Sequence, residues 1–207
     1  GLPTVFPPSG FIAGMFARTD NTRGVGKAPA GLTDGKLIGA IGVERELTPG
    51  DKDLIYPSNI NPIEITESGV CVMGSRTCEI GEFAQINLRR VFLFIRQTLL
   101  AETKFVLFEN NDAQTRAAVS RSVRDFMDRL WKQGVLSGAN AAEAYYVVCD
   151  ESNNPEVVIN SGKLAMTVGA AVGRPSEFFV VVDAVAWPAF FAQFLEAVEG
   201  GFVGVVW

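Results

Sequence analysis

Across residues 86–131, apolar positions recur at helical spacing on both flanks of a short apolar run. From residue 87 to 102, Leu88, Val91, Phe92, Ile95 and Leu99 fall three and four apart. That spacing predicts a helix with one buried face and with Arg89, Arg90, Arg96 and Gln97 on its other faces. The run from 105 to 108 has the length of a short buried strand. Asp112 then stands at an N-cap position ahead of a helix over residues 113–133. This second helix buries Val119, Val123, Phe126 and Leu130 and ends at Gly134. Its Arg121, Asp125 and Arg129 form an i, i+4 series of alternating charge. The rest of the chain reads around this helix, strand, helix unit.

Ahead of that unit, Ser9 can cap a helix over residues 10–20 whose apolar stripe is Phe11, Ile12, Met15 and Phe16. Residues 21–33, rich in glycine and polar side chains, read as an ordered loop. A strand is expected over 36–43. Thr48, with Pro49 at the first helical position and acidic residues in the first turn, predicts a short helix over 49–56. Residues 62–66 and 70–74 alternate as an adjacent strand pair.

Beyond the unit, 143–149 is a strand and 150–155 a turn. Residues 157–159 form a weaker strand, and 164–170 and 177–183 two further ones. Trp187, Phe191, Phe194, Leu195 and Val198 share one face of a short helix, and residues 202–207 form a terminal strand. So apolar a terminus would aggregate in water unless covered, by its own domain or by strand addition to a neighbour. The class is α/β (α+β), a mixed β-sheet flanked by helices with an apolar C-terminal arm-like extension.

Composition narrows the function. The 207 residues suffice for one substantial domain, and 48% hydrophobic with 20% charged residues is a globular balance. The net charge of -5 gives no global support for nucleic-acid binding. The chain has no histidine, which removes Ser-His-Asp and Cys-His mechanisms and histidine-ligated metal sites. No apolar run approaches the roughly 20 residues of a membrane span, and no signal-peptide pattern is present. A start at Gly1 without an initiator Met reads as the later part of a longer protein.

The candidate chemistry is sparse. Cys71, Cys78 and Cys149 show no metal-ligand spacing and read as reduced, partly buried thiols. Cys149 beside Asp150 is the one thiol that could serve a cytoplasmic enzyme, although neighbouring strand residues point to opposite faces. Asp51 with Asp53, and Glu44 with Glu46, read as solvated carboxylates rather than cation ligands. Gly39 and Gly42, in the glycine-rich segment 35–42, lack the Lys-Ser/Thr of a phosphate loop, which ranks a small-molecule binding module last. No cofactor or metal is implied. Arg89, Arg90, Arg96, Arg116, Arg121, Arg124 and Arg129 concentrate on the two helices. Interrupted by Asp125 and Asp128, they suit an acidic protein partner better than nucleic acid.

An ordered set of phrases resembles the contractile tail sheath family. It runs from Pro7-Pro-Ser-Gly through Ala17-Arg-Thr-Asp20, with Arg23-Gly24 and Lys27-Ala-Pro-Ala30 following. Gly74-Ser-Arg-Thr77, Ile86-Asn-Leu-Arg-Arg90, Phe108-Glu-Asn-Asn-Asp112, Glu143-Ala-Tyr-Tyr-Val-Val-Cys-Asp150 and Pro175-Ser-Glu-Phe178 continue in the family's order. The resemblance covers roughly residues 7–183.

It implies a structural subunit rather than an enzyme, from a myovirus-type phage tail, an R-type bacteriocin or another contractile injection system. Such subunits stack as rings around an inner tube and contract to drive it through a cell envelope. Residues 1–183 correspond to the inner α/β domain and 184–207 to a strand-donating extension; the family's N-terminal half is absent. The implied partners are other sheath subunits, the inner tail tube protein, and baseplate and tail terminator proteins, without nucleic acid or membrane insertion. The implied location is the virion tail, assembled in the host bacterial cytoplasm. Candidate contacts are Arg89, Arg90 and Arg96 on the helix, and Phe202, Val203, Val205, Val206 and Trp207 in the terminal strand.

Overall fold

The computed structural model describes residues 5–174 together with the backbone of Val205 and Val206. The described residues fall into two compact units that divide inside one helix, between Val91 and Phe92. The expected domain division at 183 and 184 lies outside the described residues, as do the strand over 177–183 and the helix around Trp187.

In the first unit, α1 (Ser9–Arg23) turns Met15 wholly inward, while Phe11, Ile12 and Phe16 pack partly buried around a core of Met15, Leu37, Val70 and Val72. Pro8 holds the N-cap position, so Ser9 opens the helix rather than capping it. The helix runs three residues past the expected end, and the following segment contains a short helix, α2 (Gly31–Asp34). Next, α3 (Pro49–Ile55) carries a complete capping box, in which the Thr48 hydroxyl accepts from the Asp51 N–H and the Asp51 carboxylate accepts from the Thr48 N–H. The strand pair is an antiparallel hairpin, β1 (Ile63–Thr66) with β2 (Gly69–Val72), in register from Ile63 opposite Val72 to Thr66 opposite Gly69.

The strand expected over 36–43 does not form. Lys36 bridges Cys71, and the Leu37 N–H donates to the Val70 carbonyl at 2.8 Å. Gly39 then enters the left-handed region at φ 87°, and the chain leaves the sheet with Ile38 and Ile41 exposed.

In α4 (Ile86–Glu102), Leu88, Val91, Phe92, Ile95 and Leu99 are all buried, as the spacing predicts. The strand expected over 105–108 is instead a 3-10 turn, Lys104–Val106, followed by Leu107 and Phe108; Phe105, Leu107 and Phe108 are exposed and Val106 is half-buried. Backbone donors there find partners three residues back: Val106 to Thr103, Leu107 to Lys104 and Glu109 to Val106. With those groups satisfied locally, the run has no need of a strand partner.

In the second unit, α5 (Ala113–Lys132) starts where the Asp112 carboxylate accepts from the Thr115 N–H at 2.8 Å. It buries Val119, Val123, Phe126, Met127 and Leu130. Arg129 lies over the Phe126 ring at 6.0 Å, and the helix's i, i+4 ion pair joins Lys132 to Asp128 at 2.6 Å. Gly134 follows at φ 75°.

A short helix, α6 (Ala141–Ala144), leads directly into β3 (Tyr145–Val148). Residues 156–160, whose central residues were expected in a weak strand, form α7 (Glu156–Asn160). Strand β4 (Thr167–Ala170) pairs antiparallel with β3, and β5 (Val205–Val206) pairs antiparallel with β4, giving the order β3-β4-β5. The α/β class therefore holds, with its described strands in two small antiparallel sheets.

Candidate intersubunit surfaces

The three arginines of α4 have different surroundings. Arg90 is half-buried: its guanidinium forks onto the Asp20 carboxylate, with Nη1 at 2.9 Å from Oδ1 and Nη2 on Oδ2, and stacks over the Phe16 ring at 5.0 Å. A bidentate pair of this kind locks two helices of the first unit together. Arg89 is exposed and lies over the Phe83 ring at 4.9 Å; Arg96 is exposed on the same helix in the second unit.

The sheet of the second unit is the other candidate surface. Val205 and Val206 form β5 within the same chain, with Val205 opposite Val168 and Val206 opposite Thr167. Phe202, Val203 and Trp207 lie outside the described residues. The sequence placed Arg124 among the basic residues of the helices but did not show its tie to the sheet: its Nη2 donates to the Val147 carbonyl of β3 at 3.1 Å while the Tyr145 hydroxyl donates back to the Arg124 carbonyl at 3.4 Å. The available signal was its spacing: Arg116, Ser120 and Arg124 recur every fourth residue beside the buried stripe.

Asn154 was missed. Although 2% exposed, it donates to the Ala165 carbonyl at 2.8 Å and accepts from the Ala165 N–H at 2.8 Å and from Asn111 at 3.1 Å. Arg116, itself buried, donates to both the backbone and side-chain oxygens of Asn111. These bonds hold the 150–155 turn and the approach to β4 in place, and no pattern of apolar spacing announces them.

The remaining candidates are structural. Cys149 is buried and lines a groove together with Arg116, and its burial raises the thiol pKa, opposing the thiolate a nucleophile needs. Asp51 belongs to the capping box, and the Thr48 backbone hydrogen bond lowers its pKa. At Gly35 a Cβ would meet the Val72 carbonyl at 2.4 Å and the Gly31 carbonyl at 2.6 Å, so close backbone packing accounts for this glycine.

The two units thus carry charged helix faces and, in the second, a two-residue terminal strand paired at the sheet edge. Residues 81–183 match the model of the phage tail sheath C-terminal domain. The tail sheath protein of Enterobacteria phage T4 is 31% identical over 78% of this chain and 24% of its own length, and that of Vibrio phage KVP40 is 27% identical over 84% and 26%. Among solved structures, a chain of the anti-feeding prophage baseplate superposes with a TM-score of 0.82 at 33% identity, covering 89% of this chain and 52% of that one. The sheath complex of the extracellular contractile injection system PVC, in the contracted state, gives 0.79 at 28% identity, with 91% and 52% covered. The chain belongs to the contractile tail sheath family. It spans about a quarter of the length of these curated relatives and about half of these structural ones.

Proposed function

We propose that this chain is the inner, lattice-forming portion of a contractile sheath subunit, which polymerises around an inner tube and contracts to drive that tube through a cell envelope. The observation that carries this reading is the superposition, over about nine-tenths of the chain, on subunits of contractile injection machines, one of them a sheath in the contracted state. The family is one of structural tail proteins, and the burial that raises the Cys149 thiol pKa gives the alternative thiol enzyme no support. The subunit works within a phage tail or injection apparatus, with copies of itself as its principal partners. Tube, baseplate and terminator proteins are the further partners of this proposal.

Contraction is a change between two sets of contacts made by a body that stays folded, so its driving free energy is the difference between those sets, multiplied over many copies. Arg89 and Arg96 serve as lateral or tube-facing contacts, while Arg90 holds the fold. The terminal strand residues Phe202, Val203, Val205, Val206 and Trp207 link subunits. Deleting residues 201–207 from the full-length protein tests that link by sedimentation and negative-stain microscopy. Polymers are expected to be lost while the monomer stays folded, and undiminished tubes would refute the linking role.

A further inference from the structure

The sheet of the second unit has two edges, and they are finished differently. In an antiparallel pair, backbone groups point alternately toward the partner and away from it. The Ala171 N–H donates to the Ala144 carbonyl at 2.8 Å, in line with the register that sets Tyr145 opposite Ala170. Alternation from there turns the N–H and C=O of Tyr146 and Val148 toward β4, and those of Tyr145 and Val147 outward. An outward row of this kind is a template for any strand that approaches.

Two groups of that row are occupied from within the chain. The Tyr145 N–H donates to the Ala141 carbonyl of α6, and the Val147 carbonyl accepts from Arg124 of α5. Just past the strand, the Asp150 N–H donates to Asn153 Oδ1 at 3.0 Å, which folds the chain into a turn. On the opposite edge, the same alternation turns Val168 and Ala170 of β4 away from β3. There β5 lies along Thr167 and Val168, so a two-residue strand of this very chain already demonstrates the fit.

We propose that Arg124 closes the β3 edge, so that a strand from a second copy of the chain adds only along β4, where β5 sits. This deepens the sheath reading and rests on it for the identity of the incoming strand. The physical reason is the cost of displacement: an approaching strand must strip a charge-assisted hydrogen bond from Val147 before it can offer a neutral one. On the β4 side, exchange replaces one neutral backbone pairing by another of the same kind. A neighbour's terminal strand therefore competes on equal terms with β5 there and at a disadvantage along β3.

The test places a benzophenone-bearing residue at position 206 of the full-length protein and mixes isotopically light and heavy copies, so that intermolecular capture is recognised by mass. In the unaltered protein, captured peptides should come from residues 164–173. In Arg124→Met, capture on residues 141–150 should rise about tenfold, the weight of about 1.4 kcal/mol for one charge-assisted hydrogen bond. Arg124→Gln provides a second variant with the same direction, and circular dichroism confirms the fold of each. Capture on 141–150 that stays at the unaltered level in a folded variant overturns the proposal, as does strong capture there in the unaltered protein. Absence of tubes from the unaltered protein would count against the sheath reading alone, because the captured peptides of the variants still report on the edge.

Discussion

Arg90 and Arg89 are sequence neighbours with different surroundings. The fork of Arg90 onto Asp20, with the Phe16 ring beneath it, is a contact inside the first unit, so Arg90→Glu should destabilise the fold. A loss of about 1–3 kcal/mol is expected in chemical denaturation, since it breaks a charged hydrogen-bonded pair and sets two carboxylates together. Arg89→Glu with Arg96→Glu should leave the denaturation midpoint nearly unchanged and weaken polymerisation; the reverse pattern would exchange their roles. The basic character of this helix was legible in the sequence, but the separate surroundings of its arginines were not, because the partner of Arg90 lies seventy positions away. The cysteines make a second test at this scale. Cys78 is exposed and should react with a thiol reagent in the native protein, whereas buried Cys71 and Cys149 should react after unfolding. Rapid native labelling of Cys149 would contradict its burial.

At the scale of elements, the long helices and the strands that became β1–β4 were legible, whereas short isolated apolar runs and the short helices α2, α6 and α7 were not. The stripe of α4 and the cap and stripe of α5 could be read directly, because a 3.6-residue period repeated over four or five turns is hard to mimic. A four-residue apolar run carries no such redundancy. Residues 105–106 accordingly fell in a 3-10 turn and residues 157–159 in α7, each with backbone donors satisfied locally. The Asp112 cap offers a test with a sign. Hydrogen bonding from the Thr115 backbone N–H, the largest influence, lowers the carboxyl pKa below 3.8. Its contribution to stability is therefore present above that ordinary value and is lost as pH falls through the lower folded-state value. Asp112→Ala should lower the Tm at pH 7 by about 2–4 °C. Asp112→Asn should keep most of the cap and remove its acid dependence; an equal loss in both variants at pH 7 would rule out the capping role.

At the scale of the whole molecule, the proposed function requires each unit to keep its shape while its neighbours change. Each unit has its own internal tie, the Arg90–Asp20 fork between helices in the first and the Asn111–Asn154–Arg116 network around a turn in the second. The missing histidine and the ordered phrases made the family readable from the sequence. The sheet edges were not readable, since they depend on which backbone groups face outward. Cryo-electron microscopy of the full-length protein, polymerised and then contracted, tests the central claim most directly. Helical tubes are predicted in both states, with residues 5–91 and 92–173 each superposing on the structure described here to about 1 Å while contacts between copies differ. A protein that stays monomeric under assembly conditions, or units that refold between the two states, would contradict it.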